Sequence, residues 1–331
     1  MKIMKPIFSY FIPICASSIL LFSSCNDNQS KKTDSEISAL DSLENIDTTS
    51  INIEVDESET ATMQMPFVQK KYSKSVDEVY NSIKSAIEAN ENLKIIAEVN
   101  HSEAAKGVEM ELSENRLIIF GNPKAGTQLM QQNQAVAIDL PMKILVYDNN
   151  GTTKVIYNNA SILMNRYEIT LPELEEKMNA ILDKITVSDI EEPQLHKLQL
   201  ESSLADLQTK ESSLSVDKSS EKLEKLLKEK EFKLIAKVEH DKAAKNADLQ
   251  LRSTRLFIFG KPQVGSQLMA LNSTMGLDLP MKILLWEDEN GKTQVSYFKG
   301  SFLANRHGID NQELTNKIDE VLEMLSNEIL K

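Results

Sequence analysis

The sequence predicts an α+β protein with two tandem copies of one small domain, each a mainly antiparallel sheet covered by helices. Three observations support this. Residues 101–145 recur at 240–284 with a constant offset of 139, and 23 of the 45 positions are identical. Strand-like and helix-like patterns follow one another in the same order in both copies. An Asn-Gly pair, the strongest short hairpin signal, stands at the same place in each copy. Mixed elements with a tight hairpin favour helices packed on one face of an antiparallel sheet.

The first half of each copy is predicted to alternate strands with helices. In the first copy, residues 67–72 form a strand, and Ser75 and Glu78 form a capping box that starts a helix. Apolar residues then follow at helical spacing. Two β-rich segments come next, Leu93–Val99 and Arg116–Phe120, and a helix is expected from Gly126 to about Ala137.

The second half of each copy is predicted to be a hairpin followed by a helix. Strands at 142–147 and 154–157 flank Asn150-Gly151, and Asn290-Gly291 is the counterpart. The last helix carries an apolar stripe on one face, with Thr170 and Asp310 as expected N-caps. The segment Glu191-Glu192-Pro193 marks the break between the copies. The predicted organisation is 63–187 for the first domain, 188–203 for the linker and 204–331 for the second domain.

The N-terminus resembles a bacterial lipoprotein signal. Lys2 and Lys5 precede an apolar run, which ends in Leu21-Phe22-Ser23-Ser24-Cys25. The run is too short for a membrane-spanning helix and fits a secretion signal. Residues 1–25 are therefore expected to be a signal peptide, with lipidation at Cys25 after cleavage. The alternative is an ordinary signal peptide with an incidental cysteine. Removal of Cys15 and acylation of Cys25 would leave no thiol, which suits an exported chain.

The acidity of the chain is concentrated outside the two domains. The net charge is −13, and residues 26–62 contribute −8 of it. That segment is rich in Ser, Thr, Asp and Glu and has no aromatic residue, so it is expected to be a disordered acidic tether. No basic face typical of nucleic-acid binding is present. The expected location is the cell envelope, with a lipid anchor in a membrane.

The repeated motifs resemble the domain-of-unknown-function family 302. They are Arg-Leu-x-Ile-Phe-Gly-x-Pro, Gly-Thr/Ser-Gln-Leu-Met and Asp-Leu-Pro-Met-Lys, followed by the Asn-Arg pairs at 165–166 and 305–306. The resemblance implies a fold similar in plan to the TATA-binding protein, without implying DNA binding. It also implies that domains pair as dimers, so that two copies in one chain would form an intramolecular pseudo-dimer. It brings no established activity and no cofactor. The first copy departs from the family pattern at Tyr167, where the second has His307.

Several shared positions are candidates for a ligand site. The loops 121–127 and 260–266 lead from a strand into a helix, where backbone N–H groups can bind anions. The alternative is a tight turn with Thr127 and Ser266 as N-caps. The histidines shared by both copies are expected either to titrate in a cleft or to be polar strand-end residues. The shared basic residues are expected either to converge with the loops on an anion or to form ion pairs, with Asp139 or Asp278 as partners. The hypothetical ligand residues are His101, Arg116, Gly121, Gly126, Thr127, Lys143, Arg166, His240, Arg255, Gly260, Gly265, Ser266, Lys282 and Arg306.

These features favour a non-enzymatic envelope protein that binds a small anionic ligand or a partner protein. One rival is an enzyme that uses His240 as acid or base, with Arg255 and the 260–266 loop holding an anion. Its mark would be a cleft that gathers His240, Arg255 and Asp278. A third interpretation is a structural spacer. No metal is expected, since the four histidines have no ligand spacing and no usable cysteine accompanies them. Catalytic residues cannot be assigned from the sequence.

Overall fold

The computed structural model describes residues 67–190 and 206–331. The signal peptide, Cys25, the acidic tether and most of the proposed linker lie outside these residues. Within them, no helix is both long enough and apolar enough to cross a membrane.

The first copy contains five strands, five α-helices and one 3₁₀ helix among the described residues. In chain order they are β1 (Val68–Tyr72), α1 (Val76–Glu88), β2 (Lys94–Asn100), α2 (His101–Lys106), β3 (Asn115–Gly121), α3 (Pro123–Gln132), the 3₁₀ helix η1 (Gln134–Asp139), β4 (Met142–Asn149), β5 (Thr152–Tyr157), α4 (Ala160–Arg166) and α5 (Pro172–Ile185).

The second copy repeats this order element by element. Its elements are β6 (Leu207–Ser212), α6 (Val216–Glu229), β7 (Lys233–Glu239), α7 (His240–Lys245), β8 (Thr254–Gly260), α8 (Pro262–Leu271), the 3₁₀ helix η2 (Ser273–Leu277), β9 (Met281–Glu287), β10 (Thr293–Phe298), α9 (Gly300–Arg306) and α10 (Gln312–Glu328). The predicted α+β duplication is therefore confirmed.

Each copy forms one five-stranded antiparallel sheet. The strand orders are β1-β5-β4-β3-β2 and β6-β10-β9-β8-β7, so β2 and β7 are edge strands. Helices α1 and α6 pack on one face of their sheets. Their apolar stripes are buried, as in Val79, Ile83 and Ile87 of α1. Burial of such a stripe, at roughly 25 cal/mol per Å² of apolar surface, stabilises the packing of helix on sheet.

Two local predictions are confirmed in atomic detail. Ser75 accepts a hydrogen bond from the Glu78 N–H, and the Glu78 side chain accepts one from the Ser75 N–H, which completes the capping box. Strands β4 and β5 pair across Asn150 and Gly151, whose φ values are 53° and 82°. Two consecutive positive φ angles suit the Asn-Gly turn because its twist matches that of the strands.

Other local predictions were wrong. Helix α3 begins at Pro123, with Asn122 as its N-cap, because the Asn122 side chain accepts from the N–H groups of Lys124 and Ala125. Thr127 lies inside the helix and is no cap. Helix α5 begins after Leu171 without a side-chain cap, and in the second copy Asn311 caps α10. The predicted caps Thr170 and Asp310 each precede the true cap by one residue.

The second face of each sheet contacts the opposite copy. Helix η2 packs on β3 and β4 of the first copy, and η1 packs on β8 and β9 of the second. Hydrogen bonds also join the two copies here. Asn115 Nδ2 donates to the Ser273 carbonyl at 2.9 Å, and Gln134 Nε2 donates to Thr254 Oγ1 at 2.8 Å. Each sheet thus has its own helices on one face and a segment of the other copy on the second.

Candidate functional site

A cluster of buried charges lies between the copies. We call it the charge cluster, and its members are Asp139, Lys143, Arg166, Asp278, Lys282 and Arg306. Asp139 of the first copy binds Arg166 at 2.8 Å and Lys282 of the second copy at 2.9 Å. Asp278 binds Arg306 at 2.6 Å. In these two aspartate–arginine pairs, all four side chains are only 4–6% exposed. Solvent therefore screens the attraction between their charges very little.

The carboxylates of the cluster are held in their charged form. Burial alone would raise the pKa of Asp139, but the charges of Lys282 and Arg166 outweigh it and lower the pKa. The pKa of Asp278 lies well below its usual range, because Arg306 and the hydrogen bond from His307 outweigh burial. Opposite charges at such short range stabilise the ionised form.

Lys143 differs from the other cations of the cluster. Its Nζ donates to the Leu277 carbonyl at 2.9 Å. Burial, followed by repulsion from Lys282, lowers its pKa to about 7. A small void of about 10 Å³ is lined by Lys143, Lys282, Asn158 and both carboxylates. That volume is about the least that holds one water-sized particle.

Tyr167 and His307 occupy equivalent positions in the two copies, and each contacts the buried aspartate of its own copy. Tyr167 Oη donates to Asp139 Oδ2 at 2.8 Å, and His307 Nε2 lies 2.8 Å from Asp278 Oδ2. The opposite side of the His307 ring bonds Thr274. The difference between the copies at this position therefore preserves a hydrogen bond to the buried carboxylate.

Arg116 and Arg255 lie away from the charge cluster, on the helix-covered faces of their sheets. Arg116 pairs with Asp77 of α1, and its guanidinium lies 3.8 Å from the centre of the Tyr80 ring. Arg255 pairs with Asp217, Glu239 and Asp241. The structure therefore does not bring these arginines together with Lys143 or Lys282, whose side chains lie on the opposite sheet faces.

His101 and His240 are buried where α2 and α7 pack against the other copy. His101 Nε2 lies 3.2 Å from the Gly276 carbonyl across the interface. Burial lowers the pKa of both histidines to about 4, so both are neutral near pH 7. His240 also faces backbone carbonyls of the first copy, at Leu140 and Ala137. Both follow directly on the last residue of a strand, as the strand-end interpretation expected, and both are buried.

The two glycine loops differ in how their helix begins. In the first copy, Asn122 caps α3, and Thr127 Oγ1 donates to the Pro123 carbonyl at 2.7 Å. In the second copy, Lys261 stands at the N-cap position, and its side chain does not cap the first turn of α8. Ser266, which is 1% exposed, has an Oγ with no hydrogen-bond partner. Gly121 and Gly126 pack against Pro141 and Leu140, and Gly260 and Gly265 repeat this with Pro280 and Leu279.

The loop of the second copy lines a cavity of about 460 Å³, which we call the interface cavity. The first copy contributes β2 and the start of α2, from Ile96 to His101 and Ala104. The second copy contributes the start of β7, residues 259–262 and 264–266, and the apolar face of α10. Ile96, Phe232 and Ile318 could not be recognised as site residues from the sequence, because an apolar stripe is indistinguishable from core until the packing is known.

The residues of the enzymatic rival are not gathered in one cleft. Arg255 is held by its three carboxylates, whereas Asp278 belongs to the charge cluster with Arg306 and His307. His240 bonds neither. Among residues 67–190 and 206–331, no group of three or more His, Cys, Asp or Glu side chains is placed to hold a metal ion.

Comparisons with known proteins identify the family but assign no activity. The family model described as "Domain of unknown function DUF302" matches residues 68–185 and again 208–325. A crystal structure of an uncharacterized conserved DUF302 protein from Bacillus stearothermophilus is similar over 37% of this chain and 93% of its own, with 20% identity and a TM-score of 0.31.

Curated relatives share one stretch with this chain. Over 117 residues, this chain is 38% identical to "Fluoride-specific ion channel FluC 1" of Brucella suis biovar 1 and to "Fluoride-specific ion channel FluC 2" of Brucella melitensis biotype 1. The match covers 35% of this chain, and 46% and 43% of the two relatives, so it spans less than half of their length. The two family matches together cover most of the described residues, and the chain belongs to the DUF302 family as a tandem-domain member.

Proposed function

We propose that this protein is an envelope lipoprotein, tethered to a membrane through Cys25, whose paired domains bind an anionic ligand without catalysing a reaction. The two domains act as one intramolecular pseudo-dimer. The tether is supported by the N-terminal basic residues, the apolar run and the small residues before Cys25. Two acyl chains suffice for stable anchoring.

One observation carries the ligand part of the proposal: the interface cavity opens beside the first turn of α8. Its volume of about 460 Å³ lies in the range of small-molecule sites. The uncapped N–H groups of that turn and the buried Ser266 hydroxyl offer hydrogen bonds to an anion. Among the described residues, Arg255 and Asp278 pair with separate groups and His240 bonds neither, which favours binding over the acid–base alternative.

The tether is tested by labelling cells with a fatty-acid probe. The wild-type chain should incorporate label and fractionate with membranes, and Cys25→Ala should accumulate as unlabelled precursor. Cys15→Ala is the matched control, since Cys15 would be removed with the signal peptide, and it should label normally. Equal labelling of the Cys25→Ala chain would refute lipidation at this residue.

The ligand site is tested by thermal denaturation of the Cys25→Ala chain with a panel of anions, including phosphate, acetate, citrate and decanoate. A ligand present at about 100 times its Kd stabilises the native state by about 2.7 kcal/mol. That corresponds to a rise in Tm of roughly 5–10 °C for a chain of this size. The rise should be lost in Ser266→Ala. No response to any anion would remove this part of the proposal.

A second candidate is the binding of a small inorganic anion in the charge cluster. Four basic side chains there face two carboxylates, and the void between Lys143 and Lys282 has room for one water-sized particle. The curated relatives named as fluoride-specific ion channels make fluoride the first ion to test. Fluorine NMR should show line broadening with the wild-type chain, and less with Lys143→Met. An unchanged fluoride signal in both would exclude this candidate.

A further inference from the structure

We infer that the interface cavity binds a single-chain amphiphile, an acyl chain with an anionic head such as a fatty acid, and that it holds one such molecule per pair of domains. This inference rests on the proposed anion site and names the class of ligand that it takes. Three features of the cavity lead to it: its walls, its polar end and its mouth.

The walls of the cavity are largely apolar and come from both copies. Ile96 and Val99 of the first copy and Phe232, Leu268, Ile318 and Leu322 of the second line it. Apolar side chains around a cavity gain dispersion contacts from an apolar group bound in it, so such a ligand stabilises the folded protein. Small inorganic anions would leave these walls without contacts. A chain of methylene groups would satisfy them.

The polar end of the cavity lies at the first turn of α8. Ser266 is 1% exposed, lines the cavity, and has no hydrogen-bond partner for its hydroxyl. The N–H groups that Asn122 satisfies at the equivalent turn of the first copy have no side-chain acceptor here. Because buried polar groups are nearly always paired, these donors indicate a ligand acceptor. A carboxylate at a helix N-terminus is favoured by the helix dipole as well.

The charges near this end favour an anion over a cation. Lys233 and Lys261 line the cavity, and the Lys261 ammonium lies 5.5 Å from the centre of the Phe232 ring. The carboxylate that also lines it, Glu98, is occupied by Tyr80 Oη at 2.6 Å and Lys84 Nζ at 2.7 Å. An anionic head would therefore meet basic side chains without facing an unpaired carboxylate.

The mouth of the cavity exposes apolar side chains on the two edge strands. Ile96 of β2 and Leu234 of β7 are each 40% exposed, and both line the cavity. They are two of the four large hydrophobic side chains that are exposed among the described residues. An apolar chain that enters between β2 and β7 would cover both.

The first copy lacks this combination of features. Asn122 caps its helix, the Thr127 hydroxyl donates to the Pro123 carbonyl, and Ala125 stands where the second copy has Val264. The duplication has thus kept the fold of both copies, and at the two equivalent helix starts it is the second copy whose first turn lacks a side-chain cap. This difference predicts one ligand for each chain.

The test measures binding of straight-chain carboxylates from acetate to dodecanoate to the full chain carrying Cys25→Ala, by isothermal titration calorimetry below the micelle concentration. The substitution removes the chain's own acyl groups, so any bound acyl chain comes from solution. Each added methylene should tighten the Kd about fourfold between octanoate and dodecanoate. The stoichiometry should be one ligand per chain, and dodecylamine, which has a cationic head, should bind at least tenfold more weakly.

Variants locate the bound molecule. Ser266→Ala should weaken dodecanoate binding about tenfold, whereas Thr127→Ala, at the equivalent position of the first copy, should leave it unchanged. Ile96→Glu at the mouth should weaken binding, whereas Val187→Glu should not, since Val187 is 70% exposed and does not line the cavity. Equal loss in the two glutamate variants would mean non-specific adsorption and would overturn the inference.

The two proposals fail in distinguishable ways. If acetate or phosphate binds as tightly as dodecanoate and depends on Ser266, the anion site stands and the acyl ligand is refuted. If no carboxylate or phosphate binds, both are refuted. A Kd that tightens with the length of the carboxylate chain, together with weaker dodecanoate binding by Ser266→Ala, would support both proposals.

Discussion

Lys282 of the second copy donates to Asp139 of the first at 2.9 Å, and the symmetry-related lysine does not repeat this bond. Lys143 instead donates to the Leu277 carbonyl, also at 2.9 Å. The two lysines repel each other in the buried cluster, and only Lys282 has a carboxylate within bonding distance to offset its burial. The pseudo-symmetry of the copies is therefore broken where their charges meet.

We predict that Lys143 makes the stability of the protein rise with pH above neutrality. Its native pKa is about 7, against an ordinary value of 10.5. Between these values the unfolded chain binds a proton that the native protein lacks. The free energy of unfolding should therefore increase by at most about 1.4 kcal/mol per pH unit from this group.

Urea denaturation between pH 7 and 10 checks this prediction, with Lys143→Met as the comparison. The variant should lose the increase, because methionine fills the same space without a titrating group. It should also be at least as stable as the wild type at pH 7. Lys124→Met, an exposed lysine of the same copy, is the control and should keep the wild-type slope. Identical slopes for wild type and Lys143→Met would contradict the depressed pKa.

We predict that the Tyr167 hydroxyl stabilises the fold through Asp139. Its Oη donates to Asp139 Oδ2 at 2.8 Å; Tyr167 is buried, and the Asp139 side chain is only 6% exposed. Tyr167→Phe should lower the free energy of unfolding by about 1–3 kcal/mol, since a buried carboxylate then loses one donor. Tyr167→His, which introduces the residue of the second copy, should recover part of the loss. Urea denaturation at pH 7 measures both, and an unchanged Tyr167→Phe midpoint would show that the bond contributes nothing.

The fold was predictable where the signal is local. The Ser75 capping box and the Asn150-Gly151 turn each depend on two to four adjacent residues, and both appear as expected. Helix α2 was missed because six residues, His101–Lys106, are too few for an apolar period. The start of α3 was predicted too late, at Gly126, because the glycines at 121 and 126 indicated a loop between them. Asn122 as N-cap and Pro123 as the first helical residue determine the helix start instead.

The candidate site was less predictable because its parts are remote in the sequence. The sequence identified Lys282 and Arg166 as paired basic positions but could not show that both meet Asp139, since Lys282 lies 143 residues away. The residues of the loop Gly260–Ser266 made it a candidate anion site, with a tight turn as the alternative. That it borders a cavity depends on how β2 of the first copy approaches β7, which no local pattern encodes.

We predict that Gly276 is required for close packing between the copies. A Cβ at this position would lie 2.6 Å from Asn115 Oδ1 and 3.0 Å from Leu145 Cδ1, both of the other copy. The equivalent residue of the first copy is Ala137, so alanine suits the local backbone and the clash comes from the interface alone. Gly276→Ala should therefore lower the free energy of unfolding by about 1–3 kcal/mol.

Thermal and urea denaturation of Gly276→Ala test the interface, with Gly265→Ala as the matched control. A Cβ at Gly265 meets Leu279 at 3.5 Å, an ordinary contact, and the residue lies within α8. That variant should be neutral or more stable by about 0.5–1 kcal/mol, because alanine restricts the unfolded chain. If the two variants have the same free energy of unfolding, the two copies do not pack together in solution as described.

We predict that His101 and His240 make the protein sensitive to mild acid. Burial lowers both pKa values to about 4, so below the ordinary value of 6.5 the unfolded chain gains protons that the native protein does not accept. Stability should fall as the pH drops from about 6.5 to about 4, by roughly 3 kcal/mol at most for each histidine, and the loss should level off below pH 4. The loss attributable to His101 is measured as the difference in unfolding free energy between wild type and His101→Gln across this range. His196 lies outside the described residues, and His196→Gln serves as a control that should leave the pH dependence unchanged. A His101→Gln chain that loses stability between pH 6.5 and 4 as steeply as the wild type would show that His101 already accepts a proton in the folded protein.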